Sequence, residues 1–195
     1  MRKQFENAPL WALIGINTLV YILTSMRPDI VDQLAMSKPI SDSGLYTILT
    51  SIFIHANFTH ILFNMLALYF FGIFCLQLIE AKWFIAVYLV GGIMGNVIFL
   101  LIGPSDSLVV GASGAIFAIG GVIAAMRPAQ RVYAYFVIPM PLWVFILGSF
   151  IILVFIPGVA WQGHLGGLLV GVVAGLFFKQ QEQKRLGPGI YRFRS

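Results

Sequence analysis

GASGAIFAIGGVIAAMR, residues 111–127, carries no charge until Arg127. From Ser113 to Met126 it holds 14 residues, about 21 Å of α-helix at 1.5 Å per residue. A bilayer's hydrocarbon core is about 30 Å thick, so a helix here begins inside the membrane. Five further runs lack Asp, Glu, Lys and Arg: Leu10–Met26, Phe58–Ile79, Trp83–Ile102, Pro139–Ile156 and Trp161–Phe178. The chain of 195 residues is 59% hydrophobic and 10% charged, whereas a soluble domain is roughly half apolar and a quarter charged. Lipid is the solvent for most of its surface. The predicted fold class is an all-α membrane protein: a six-transmembrane-helix bundle whose short fourth helix starts inside the membrane. The expected spans are 10–26, 58–79, 83–102, 113–126, 139–156 and 161–178, in a single domain over 1–195 with a basic cytoplasmic tail at 179–195.

Charge sets the expected orientation. Cytoplasmic segments are enriched in Lys and Arg. With both termini inside, Arg2, Lys3, Lys82, Arg127, Arg131, Lys179, Lys184, Arg185, Arg192 and Arg194 lie on the cytoplasmic side, and only Arg27 and Lys38 outside. These basic residues sit at the ends of apolar runs and form no stripe, which argues against nucleic acid as a partner. Leu10–Met26 is too long for a signal-peptide core and no small-x-small cleavage site follows it, so it reads as the first span. Cys75 stands alone inside an apolar run and reads as packing.

Placing Ser113 below the outer surface forces residues 103–112 to dip into the protein. Non-helical backbone at that depth is tolerated only when shielded or lining a wet cavity, so a polar cavity open to the outside is expected. In the long first outer segment, the apolar stretch Leu45–Ile54 is too short to span and is expected at the interface or re-entering partway.

Polar side chains at membrane depth are costly and mark function, and here they are His60, Asn64, Asn96, Ser113 and His164. Ser113 stands at the first turn of its helix among small residues, where backbone N–H groups and the positive helix end stabilise developing negative charge. A serine there also serves as a helix cap. His164 changes the balance. Gly163, Gly167, Gly171 and Gly175 recur every four residues, a ridge that lets two membrane helices approach closely, and Gly114, Ala118, Gly121 and Ala125 offer it a partner surface. If the two surfaces meet, His164 reaches Ser113 as the base that a serine nucleophile needs. Every Asp and Glu lies in a tail or loop, leaving a dyad instead of a triad. His60 and Asn64, four apart on one helical face, can both donate to an oxyanion. Metal binding by His55, His60 and His164 is the rival, disfavoured because no carboxylate completes a site. His55 precedes the helix and can brace the first loop. Asn96 reads as an interhelical hydrogen bond.

Together, Gly111-Ala112-Ser113-Gly114, Gly163-His164-x-x-Gly167-x-x-x-Gly171, and His55 followed by His60-x-x-x-Asn64 resemble the motif set of the rhomboid intramembrane proteases, over nearly the whole chain. The resemblance implies a six-helix core with Ser113 as nucleophile and His164 as general base. It implies His60, Asn64 and the Ser113 N–H as oxyanion stabilisers. It further implies cleavage of transmembrane segments of other membrane proteins near the outer face, in a lipid bilayer and without metal or cofactor. Two positions depart from the family pattern. Phe117 stands where many rhomboids have tyrosine, and Leu45-Tyr46 where a Trp-Arg pair is common. The compact form suggests a prokaryotic plasma membrane. A non-catalytic protein that binds client helices in the same cavity is the alternative, and Ser113→Ala separates the two.

Overall fold

The computed structural model describes residues 7–40, 44–134 and 137–186. Helix α1 (Ala8–Met26) leads through α2 (Asp29–Leu34), strand β1 (Met36–Lys38), α3 (Thr47–Thr50) and a 3-10 turn (Ser51–Phe53) into α4 (Phe58–Leu76) and α5 (Ala81–Ile102). Strand β2 (Ser107–Val109) precedes α6 (Ser113–Met126), and β3 (Arg131–Ala134) and β4 (Ile138–Pro141) precede α7 (Leu142–Val154) and α8 (Trp161–Leu186). Helices α1, α4, α5 and α8 are long and apolar enough to cross a bilayer; α6 and α7 are apolar but shorter. This is an integral membrane protein.

Helix α6 is the axis of the bundle, enclosed by α4, α5, α7 and α8. Ala115, Ala118, Ile119, Val122 and Ile123 on it are fully buried, as expected of a helix hydrophobic all round. Its closest seam is with α8. A Cβ added to Gly167 would collide with the Gly114 carbonyl, one on Gly171 with the Ala118 carbonyl, and one on Gly175 would lie 2.7 Å from the Val122 carbonyl. On the other side, a Cβ on Gly121 would lie 2.9 Å from the Leu168 carbonyl. Backbone meets backbone in parallel, so the axial register of the two helices is fixed by their main chains. Helix α5 closes on the same seam, since a Cβ on Gly95 would sit 2.5 Å from the Gly163 carbonyl.

An ion pair ties the far end of this seam. Arg127, the C-cap of α6, donates from both terminal nitrogens to the Glu182 carboxylate of α8 at 2.6 and 2.8 Å, and both side chains are less than a quarter exposed. The helix also runs on past its expected span. The segment from Lys179 continues α8 to Leu186, because nothing breaks the helix and Glu182 is held by Arg127.

Two small ribbons also depart from an all-α fold. Strand β1 pairs antiparallel with β2, and β3 with β4. Strands of three and four residues are too short for hydrophobic periodicity to reveal. The fifth run accordingly starts as a helix at Leu142 and not at Pro139, because Pro139 and Pro141 push the residues before them, Ile138 and Met140, out of the helical region towards extended backbone. The second run ends as a helix at Leu76 and the third begins at Ala81, separated by a tight turn in which Ile79 donates to the Cys75 carbonyl.

Candidate active site

Ser113 is the first residue of α6, and the cap position belongs to Ala112, without a side-chain cap. The Ser113 hydroxyl is directed elsewhere: Oγ lies 2.7 Å from Nε2 of His164. The glycine seam produces this distance, since Gly163 and Gly167 flank His164 and both abut Gly114. For Nε2 to accept the Oγ proton, the ring proton must sit on Nδ1. Among the described residues Nδ1 is buried without a hydrogen-bond partner, so none of their carboxylates orients the ring. Phe117 does so by stacking, with ring centroids 4.9 Å apart and planes at 25°.

The loop before Ser113 is held from three sides. The β1–β2 ribbon pairs Met36 with Val109, and the Lys38 ammonium donates to the Gly103 carbonyl at 2.6 Å. The Gly111 N–H donates to the Ser51 carbonyl at 2.9 Å. Ser51 is itself anchored by α5: Asn96 Nδ2 donates to Ser51 Oγ at 2.9 Å and to the Ile48 carbonyl at 2.8 Å. Asn96 thus braces the first loop instead of joining two long helices. The stretch Leu45–Ile54 is correspondingly tucked in, with Thr47, Ser51, Ile52 and Ile54 buried and Ile52 against Gly92 of α5.

Gly111 has φ +123°, a conformation that favours glycine. A Cβ there would lie 2.7 Å from His60 Nε2 and 3.8 Å from Ser113 Oγ, so the missing side chain keeps open a space bordered by both. His60 is fixed by the start of α4. Asn57 caps that helix by accepting from the His60 N–H at 2.8 Å, and the Ala56 N–H points at His60 Nδ1 at 3.5 Å. With Nδ1 accepting, Nε2 carries the hydrogen and is a donor beside Gly111. Asn64 is buried one turn further along and donates one N–H to the His60 carbonyl at 2.8 Å, leaving its second N–H for another acceptor. His55 packs edge-on against His60, centroids 5.1 Å apart, and burial, together with the neighbouring His60, pushes its imidazole down to about 4. Among the described residues, no group of three or more His, Cys, Asp or Glu is placed to hold a metal ion.

Asn17 and Gln162 are among the buried polar groups that escaped the sequence reading. Asn17 of α1 donates to the Tyr88 hydroxyl of α5 at 3.0 Å, and Gln162 lies buried beside Gly163. An Asn in the first span was a visible signal for the first; nothing distinguished Gln162.

The chain matches the rhomboid domain family over residues 42–181. It is 30% identical to rhomboid protein 1, mitochondrial, of Saccharomyces cerevisiae, across 91% of this chain and 56% of that protein. It is 28% identical to an uncharacterized protein of Mycobacterium tuberculosis across 93% of this chain and 82% of that one, and 30% identical to RHOMBOID-like protein 12, mitochondrial, of Arabidopsis thaliana across 67% and 45%. The family match takes in α3 through most of α8, and with it Ser113, His164, His60 and Asn64. The chain is a member of the rhomboid family of integral membrane proteins.

Proposed function

We propose that this protein is an intramembrane serine endopeptidase that cleaves transmembrane segments of other membrane proteins with a Ser113–His164 dyad. The 2.7 Å contact between Ser113 Oγ and His164 Nε2 carries the reading. Ser113 Oγ attacks the scissile carbonyl carbon as its proton passes to His164 Nε2. The oxyanion forms in the space beside Gly111, where His60 Nε2–H, the Asn64 amide and the Ser113 N–H are the donors, a class of interaction worth a few kcal/mol of transition-state stabilisation. Collapse breaks the C–N bond, and His164 returns the proton to the leaving nitrogen. Water, deprotonated by His164, then attacks the acyl-serine carbon. The second cleavage product departs as a carboxylic acid and Ser113 regains its proton.

The proposal includes a single domain of six crossings, with α6 and α7 as the two short ones, both termini in the cytoplasm and the dyad near the outer face of a prokaryotic plasma membrane. The Lys and Arg distribution supports that orientation. A peptide bond inside a regular helix is shielded, so the substrate segment must unwind to reach Ser113. The test is cleavage of a fluorogenic transmembrane peptide by purified protein. Wild type cleaves, and Ser113→Ala and His164→Ala each abolish cleavage. An inactive wild type that still binds the peptide makes the protein a client-helix binder.

A further inference from the structure

Helix α7 poses a length problem. Its 13 residues span about 20 Å as α-helix, against about 30 Å of hydrocarbon. Directly before it, without an intervening loop, comes β4, whose four residues add about 13 Å at 3.3 Å per residue. Laid end to end, strand and helix reach the thickness of the core.

The ribbon has the surface of a lipid-facing element. Tyr133, Val137 and Ile138 are exposed by 66%, 75% and 53%, and Arg131 beside them is exposed. Val132, opposite Met140 in the register, packs instead on the bundle's core, so its face meets the protein while the face of Arg131 and Tyr133 turns out; Ile138 shares the face of Val132 but is exposed at the far end of the ribbon. Three exposed apolar side chains on one small ribbon in water would be an aggregation liability; at a membrane surface they are an anchor, with Tyr at headgroup depth and Arg on the phosphates. The backbone agrees. A proline cannot donate to a ladder, so Pro139 and Pro141, two apart, both lie on the edge turned away from β3 and leave it without N–H donors. The carbonyls on that edge still need partners. This excludes the hydrocarbon centre and fits the interface.

We propose that the β3–β4 hairpin is a membrane-interface wedge, seated in the phospholipid headgroup and upper acyl region at the Arg127 end of the bundle, where it completes the crossing begun by α7. On the proposed six-crossing topology, on which the choice of leaflet rests, this is the inner leaflet.

The test uses the full chain in a Cys75→Ala background, labelled at one introduced cysteine with an environment-sensitive fluorophore in phospholipid nanodiscs. Val137→Cys and Tyr133→Cys report on the hairpin, and Gln183→Cys, on the exposed extension of α8, on water. Lipids bearing a nitroxide near the headgroup should quench positions 133 and 137 strongly, and aqueous iodide should quench them several-fold less than 183. Iodide quenching equal to that at 183, with little quenching from the lipid, places the hairpin in water and overturns the proposal. The leaflet is read separately in intact cells with a membrane-impermeant thiol reagent. Labelling of Leu108→Cys but not Gln183→Cys supports the inner leaflet. The reverse overturns that assignment and the topology while leaving the nanodisc result to stand on its own.

Discussion

Helix α6 meets α8 through backbone and α7 through side chains, and the two seams behave differently. Against α8, glycines at 167 and 171 bring main chains together with nothing between them. Against α7, the contacts are the Ile146 side chain over Gly120 and the Phe117–Phe150 ring pair. Only Leu142 and Ile146 of α7 are buried, and an apolar cleft of about 240 Å³ opens among α6, α7 and α8, lined in part by Ala124, Trp143, Ile146 and Val172. Main chains in contact cannot rearrange without unwinding, whereas side chains change rotamer. The molecule therefore holds its proposed dyad on the stiff seam and leaves the deformable one at α7.

Breaking the stiff seam should have the largest effect. Gly167→Val forces a branched side chain into the Gly114 carbonyl and should destabilise the bundle by more than about 3 kcal/mol, with loss of cleavage, as read by denaturation in micelles and by peptide turnover. Gly148→Ala on α7, where a Cβ meets nothing within 4 Å, should change stability by at most about 1 kcal/mol and leave turnover intact. Equal damage from both would erase the contrast.

A smaller loss should follow from Glu182→Gln at the end of the seam. It removes the carboxylate charge that faces Arg127 and should cost about 1–3 kcal/mol, and the Arg127→Glu/Glu182→Arg double variant should lose less than its two single changes summed. If the two single changes are simply additive in the double variant, the pair does not tie the helices.

Asn96→Ala removes the donor to Ser51 and Ile48 and should cost about 1–2 kcal/mol. Because Ser51 holds Gly111, turnover should fall with little change in KM; a rise in KM alone would contradict this brace.

A further effect concerns pH. The folded-state value of His55, about 4, lies below its ordinary 6.5, so the unfolded chain binds the proton more readily. The stability contributed by neutral His55 is present above about 6.5 and is lost as pH falls through about 4. His55→Phe should flatten that part of the stability profile measured between pH 7 and 4, and an unchanged slope would assign it to other groups.

Much of the stiff seam was legible because its signal is local and repetitive. Glycines at 163, 167, 171 and 175, facing small residues at 114, 118, 121 and 125, announce close helix packing from spacing alone. Ser113 and His164 stand out because polar groups at membrane depth are expensive. The deformable side was not legible. Strands such as β3 and β4 are too short for a hydrophobic period to stand out, and α7 gives part of its apolar run to one of them. The partners of Asn96 and Glu182 lie 45 and 55 residues away in sequence, and long-range pairs of that kind leave no periodic trace. In the sequence Arg127 marks the inner end of the fourth helix and Glu182 falls in the tail.

The central claim is that Ser113 is a nucleophile activated by His164, and a serine-directed fluorophosphonate tests it most directly. The account predicts a covalent adduct that peptide mass spectrometry places on Ser113, absent in Ser113→Ala and strongly reduced in a folded His164→Gln variant. No adduct on the folded wild-type protein, or one as strong without His164, would contradict it.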